Sequence, residues 1–184
     1  MNIMMAYGKS LYRFILLCGV AIMLHGCGSV PADYEATTPE FDMAHFFDGK
    51  LKAYGIVQNR SGKVIRRFEA DLIGTWQANE GRLEEDFVYD DKQTQRRVWL
   101  LNKHPNNRYS GTAGDVVGEA TGESRGFAFN WHYTLAIEVD GKVWDVNLDD
   151  WMYQINESRI MNRTIMTKWG FKVGEITLII EKID

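Results

Sequence analysis

From about residue 41 the chain is predicted to fold as an all-β domain, an antiparallel up-and-down barrel of about ten strands with a short N-terminal helix. The first observation is the run 127–139, in which Phe127, Phe129, Trp131, Tyr133, Leu135, Ile137 and Val139 alternate with Ala128, Asn130, His132, Thr134 and Glu138. That is the period-two pattern of a strand. Asp140-Gly141 then supplies the strongest short-range hairpin signal, and Trp144, Val146 and Leu148 return in alternation with Asp145, Asn147 and Asp149. The second observation is that turn signals recur at short intervals from Lys50 onward, with almost no helical period between them. Sequential hairpins of even spacing favour a sheet that closes on itself and so removes its edges. A flattened sandwich is the alternative.

The elements follow in chain order. Phe14 to Leu24 is a mostly apolar run of about half the ~20 residues that a membrane-spanning helix needs. Lys9 and Arg13 precede it and small residues follow, the layout of a secretory signal over residues 1–26. Leu24-His25-Gly26-Cys27 resembles the lipobox of bacterial lipoproteins; His25 departs from the usual small or β-branched residue, and Cys18, preceded by Leu17, fits less well. The resemblance implies cleavage before Cys27 and acylation of its sulfur with palmitate-type chains. Gly28 in the second mature position, in place of aspartate, implies sorting to the outer membrane, inner leaflet, facing the periplasm of a Gram-negative cell. Two or more acyl chains hold a protein stably on a bilayer. An ordinary signal peptide cut nearby, or a core helix, is the alternative reading of the same stretch.

Removal of the signal leaves 19 of the 21 basic residues and all 25 acidic ones, net −6. A basic footprint for nucleic acid or anionic headgroups is missing from that balance. Cys27 would be the only cysteine left, and lipidation would consume it, so no internal disulfide is expected.

Residues 27–40 read as the acylated N-terminus and a linker, and residues 41–184 as a single β-barrel domain. Thr38-Pro39-Glu40 looks like a helix start, with a cap and proline at the first position. Phe41, Ala44 and His45 share one side of such a helix and Phe46-Phe47 end it; these aromatics would close the end of a barrel or serve as ordinary core. Strands are expected at about 50–58, 63–77, 82–90, 95–102, 107–112, 115–121, 158–168 and 174–182 besides the central hairpin. Asn59-Arg60-Ser61-Gly62, Asn79-Glu80-Gly81 and Asp90-Asp91-Lys92 supply turns.

With these strands in place the chain after about Glu40 resembles a bacterial lipoprotein family defined by a domain of unknown function, number 3833. The carrying residues include Phe46-Phe47-Asp48-Gly49, Tyr54-Gly55-Ile56-Val57-Gln58, Ser61-Gly62-Lys63-Val64, Arg96-Arg97-Val98-Trp99, Asp149-Asp150-Trp151-Met152-Tyr153 and Lys168-Trp169-Gly170-Phe171. The resemblance implies an envelope lipoprotein and no assigned activity. A weaker likeness to lipocalins rests on Gly74-Thr75-Trp76, a Gly-x-Trp triplet that lies in the second expected strand and not the first.

The chemistry readable from the residues is limited. His45, His104 and His132 are far apart, with no zinc-type spacing, so no metal is expected. Gly111, Gly114, Gly118 and Gly122 lack the lysine and the strand–loop–helix setting of a phosphate loop, and no cofactor is expected. No nucleophile elbow is present. The polar face of the central hairpin is the exception. Reflection about Asp140-Gly141 puts Asn147 opposite Thr134 and Asp149 opposite His132, about 5 Å apart; His132 and Asp149 are therefore candidate catalytic residues, an acid–base pair. In one arrangement this polar face is solvated and the aromatics fill the barrel; in the other the polar face lines a cavity. An aromatic interior would suit an apolar guest, which makes Phe129, Trp131, Tyr133, Trp144, Trp151 and Tyr153, with Arg97, candidate ligand-binding residues. One of Asp149 and Asp150 must face inward, where a buried aspartate demands a partner; Arg96 or Arg97 could supply it.

Three functions compete. The leading one is an outer-membrane-anchored, lipocalin-like protein that binds or carries a hydrophobic molecule such as a lipid. The others are an enzyme acting on a lipid or polyene through His132 and an aspartate, and a structural envelope protein that binds another protein.

Overall fold

Twelve residue pairs, from Ala128 with Tyr153 to Val139 with Lys142, set the register of the central hairpin, and His132 meets Asp149 and Thr134 meets Asn147 as the reflection predicts. The computed structural model describes residues 28–139 and 141–183. The signal segment, its Cys18 and His25, the acylation candidate Cys27 and the turn residue Asp140 lie outside the described residues. All the elements that follow belong to one compact unit, Pro31–Asp184, distinct from the unit Met1–Val30.

A 3₁₀ turn, Pro31–Tyr34, and a single helical turn, α1 (Met43–Phe46), precede ten strands: β1 Gly49–Asn59, β2 Val64–Gln77, β3 Glu80–Tyr89, β4 Thr94–His104, β5 Arg108–Thr112, β6 Ala120–Arg125, β7 Ala128–Val139, β8 Lys142–Asn156, β9 Arg159–Lys168 and β10 Phe171–Lys182. Each strand pairs antiparallel with its sequence neighbours, and β1 pairs with β10 to close the barrel. Alternation sorts the side chains: in β2, Phe68, Ala70 and Leu72 are buried between exposed Arg67, Glu69, Asp71 and Ile73.

The expected strand 115–121 is displaced. Residues 113–119 form a loop that borrows ladder bonds from β7, Val117 donating to the Thr134 carbonyl and Ala136 to that of Asp115, and the strand begins at Ala120. The β2–β3 turn is Ala78-Asn79 and not the later triplet; Ala78 has a φ of 52°. Helix α1 also starts later than expected. Asp42, not Thr38, caps it, its Oδ1 accepting from the Ala44 backbone N–H at 2.9 Å. Met43 and Phe46 are therefore the buried side chains, and His45 points to solvent.

Phe41, Met43, Phe46 and Phe47 plug one end of the barrel. Lys103 Nζ donates to Asp42 Oδ2 at 2.7 Å and Tyr109 Oη to Asp42 Oδ1 at 3.0 Å, so the cap residue also ties the plug to β4 and β5. Gly74 of the Gly-x-Trp triplet has a packing reason for lacking a side chain: a Cβ there would lie 1.6 Å from the Phe47 carbonyl oxygen. On the outer wall at the same end, Tyr34 meets the rings of Phe127, Trp151 and Tyr153 at 5.3, 5.7 and 5.9 Å.

Candidate functional site

Above the plug the barrel encloses a cavity of about 120 Å³. A single buried water needs roughly 10–15 Å³ by the same measure, so the space exceeds what stray hydration requires. Its wall is mostly apolar: Met43 and Phe47 at the floor, then Ala53, Ala70, Leu72, Leu83, Trp99, Leu101, Trp131, Met152 and the aliphatics of β10, with Phe68 and Phe87 higher up. The two alanines keep the β1–β2 side open where larger residues would fill it.

A polar belt crosses this apolar wall at mid-height, contributed by Glu85, Arg97, Tyr133, Asp150, Asn162 and Thr164. Their positions follow from the ladder. Glu85 and Arg97 are opposite one another across β3–β4, and Asp150 and Thr164 across β8–β9. Arg97 is held by the β5–β6 loop: its Nη2 donates to Asp115 Oδ2 at 2.7 Å and its Nε to Asp115 Oδ1 at 3.0 Å. Glu85 Oε2 is 3.6 Å from Arg97 Nη1, too long for a hydrogen bond, and it has no hydrogen-bond partner among the described residues. Asp150, the inward-facing acid of the adjacent pair, receives Asn162 on Oδ1 and the Tyr133 hydroxyl on Oδ2 at 3.2 Å.

Burial dominates the electrostatics here. It pushes the Glu85 carboxyl up to about 7 against the pull of the Arg97 charge. It pushes Asp150 up to about 6, with Asn162, Thr164 and Tyr133 restraining the rise by hydrogen bonding. Tyr133 is raised well above the ordinary phenol range, first by burial and then by the Asp150 charge. For Arg97 burial works against the cation, yet the hydrogen bond with Asp115 and the field of Glu85 win, and its proton is held more tightly than usual. The belt thus contains one permanent cation and two carboxyls whose charge changes near neutrality.

The residues singled out from the sequence fall into three groups. Trp131, Tyr133 and Arg97 line the cavity. Phe129 lies beneath it, fully buried, its ring 5.7 Å from Phe41 and 5.6 Å from Tyr109. Trp144 sits at the opposite end of the barrel beside Trp169, while Trp151 and Tyr153, one residue out of phase with Asp150 and Met152, face outward against Tyr34. His132 and Asp149 come together, Nδ1 to Oδ1 3.6 Å, on the outer face, both about half exposed. Arg97 does not partner the buried aspartate, and Arg96 lies on the outside with Glu84 and Asp86. Glu85, Asn162 and Thr164 were not anticipated. Their signal was a polar residue at an inward position: Glu85 between Leu83 and Phe87, Asn162 and Thr164 between Ile160 and Met166.

The chain belongs to the family described as protein of unknown function (DUF3833), whose model matches residues 21–182. No curated protein matches it. Among solved structures, the S-type phycobiliprotein lyase CPES from Guillardia theta is similar over 85% of this chain and 98% of its own, at 12% identity and a TM-score of 0.57. A de novo designed fluorescence-activating β-barrel is similar over 78% of this chain and 99% of its own (8% identity, TM-score 0.43), and a redesigned β-barrel bound to DFHBI over 77% and 100% (5%, 0.41). At this identity the likeness to the lyase shows the architecture alone.

Proposed function

We propose that this member of the family binds an apolar small molecule, such as a lipid chain, inside its barrel, and that Cys27 anchors it to the outer membrane with the barrel in the periplasm. The observation that carries the binding reading is the apolar lining crossed by a convergent polar belt, the composition usual in small-molecule sites. At about 120 Å³ the space is smaller than the ~300–1,000 Å³ of such sites, so a lipid-sized guest requires the barrel to widen around it. The anchor rests on Leu24-His25-Gly26-Cys27 alone.

The belt also narrows the ligand. Arg97 is the only basic residue among the described lining residues, and it is already engaged by Asp115 and Glu85. A carboxylate or phosphate entering the cavity finds no free cation and meets Glu85 and Asp150. A neutral hydroxyl or amide head, by contrast, meets no such repulsion at the belt. The favoured guest is therefore an apolar chain or ring system with a small neutral polar head. His132 lies outside the cavity, so acid–base chemistry on a guest held there has no support from its position.

Native mass spectrometry tests the reading, with the barrel offered a fatty alcohol, a monoacylglycerol and the free fatty acid of equal chain length. Stoichiometric adducts with the neutral compounds are expected, at least tenfold tighter than with the acid at roughly pH 8. Ala70→Phe, which fills the cavity from β2, should abolish them. Adducts that survive Ala70→Phe, or none with any compound, would sink the proposal.

A further inference from the structure

We propose that the adjacent β9–β10 and β1–β2 hairpin tips form a docking surface for an anionic lipid bilayer, seated by the exposed side chains of Trp169 and Phe171. The first observation is conformational. Trp169-Gly170 is a two-residue turn in which both residues have positive φ, 51° and 80°. Asn, Asp or Gly suit such positions, and a bulky residue there is an outlier. Yet Trp169 is 78% exposed. Its ring meets that of Trp144 at 5.9 Å, yet most of its surface stays in solvent, and the turn geometry would favour asparagine.

The second observation is company. Phe171 is 71% exposed, Val173 lies beyond it, and Val64 and Ile65 are exposed on the neighbouring hairpin. Because β1 pairs with β10, with Asn59 opposite Gly174, the two tips are side by side. The third is charge. Residues 59–64 and 167–173 carry Arg60, Lys63, Lys168 and Lys172 and no acid, a local excess in a chain whose overall charge is −4, and the acids of the next tip, Asp90 and Asp91, are paired with Arg67 and Arg66. Lys172 shares Glu175 with Arg163, and Lys168 lies 5.0 Å from the Trp169 ring and 4.3 Å from that of Trp144. Tryptophan seeks the headgroup level of a bilayer, and apolar side chains set among lysines are what anionic interfaces bind. The tips also lie at the end opposite the plug, whereas the chain enters the barrel unit at the plugged end, where Tyr34 packs on Trp151 and Tyr153. Docking through them uses none of the residues proposed for the anchor. It does not depend on what the cavity holds.

Residues 31–183 close the barrel and fill its core by themselves, so the acyl-free chain from Gly28 is the form to test. Co-sedimentation with vesicles of phosphatidylethanolamine and phosphatidylglycerol should show binding that falls at least fivefold on pure phosphatidylcholine and again in high salt. Trp169→Asn should cut binding at least fivefold while its unfolding midpoint stays close to that of the wild type, because asparagine suits the turn and offsets the lost contact with Trp144. Phe171→Ser should weaken binding similarly. Wild-type protein that stays in the supernatant, or Trp169→Asn that binds as the wild type does, overturns the proposal. So does a wild-type dimer in sedimentation velocity that Trp169→Asn dissolves without any vesicle binding, which would assign the tips to a second copy of the chain.

Discussion

Asp149 and Asp150 are consecutive residues of β8 that stand in different media. Asp149 is about half exposed, within reach of His132 and accepting from Asn130 Nδ2 at 2.8 Å. Asp150 is 5% exposed, wrapped by Asn162, Thr164 and Tyr133, and its carboxyl is raised to about 6. Nothing but the alternation of a strand separates them. The outer pair of an acid and a histidine is the arrangement that looks most like catalysis in the sequence, and water screens it. The inner acid, without a basic partner of its own, lies in a low-dielectric cavity where each polar contact has larger consequences. In a barrel, a residue's chemical potential is set by parity before it is set by type.

The largest expected effect tests parity on backbone packing. Gly74 faces inward with a Cβ clash of 1.6 Å against the plug, while Ile73 beside it is exposed. Gly74→Ala should lower stability by at least ~3 kcal/mol, at the top of what overpacking costs, because the obstacle is backbone. Ile73→Ser should stay within about 0.5 kcal/mol. Urea unfolding of the two variants measures the gap, and equal losses would break the comparison.

Next comes a pH effect confined to the inner face. A carboxyl raised by burial makes the folded state hold its proton more tightly than the unfolded chain does. Its contribution is complete at low pH and is lost as pH climbs from the ordinary value to the raised one. For Glu85 that window runs from 4.5 to about 7, a change on the order of 3 kcal/mol at most. Stability should fall across it in the wild type, and Glu85→Gln should remove about 2–3 kcal/mol of that fall. Parallel stability curves for the two proteins would show that Glu85 is not buried as described.

Asp150→Ala should cost about 1–3 kcal/mol near pH 5, where it strips Asn162 and Tyr133 of their acceptor. Above roughly pH 7 the loss should shrink, since the variant no longer buries a charge. A loss that grows with pH would reverse the assignment.

How much of this was legible depended on range. The hairpin of β7 and β8 could be read to its register, because a clean alternation and Asp140-Gly141 determine both partners locally. The loop 113–119 could not: Val116 and Val117 look strand-like in isolation, and only the bonds lent by β7 decide that the strand starts at Ala120. The helix start was misread at Thr38 because Asp42, the better cap, is chosen by Lys103 and Tyr109 from distant strands. The polar belt is the most distant case of all. Glu85, Arg97, Asp150 and Asn162 come from four strands, and sequence spacing carries no measure of the gap across a closed barrel. What it did carry, unused, was a polar residue interrupting each apolar stripe.

The smallest expected effect concerns the pair that the sequence made most conspicuous. His132→Ala removes a partner 3.6 Å from Asp149 on a face where both are about half exposed. Such contacts are worth ~0–1 kcal/mol, and Asp149 keeps the hydrogen bond from Asn130. Stability should therefore move by less than about 0.5 kcal/mol. Because His132 borders a surface depression with Glu119, Thr134 and Asn147 and not the cavity, retention of an apolar guest should be unchanged as well. Asp150→Ala, next to His132's cross-strand partner Asp149, provides the contrast, altering both stability and guest. If His132→Ala instead released the guest while leaving the fold intact, the outer face would be part of the binding path, and the division between a screened wall and an active interior would have to be redrawn.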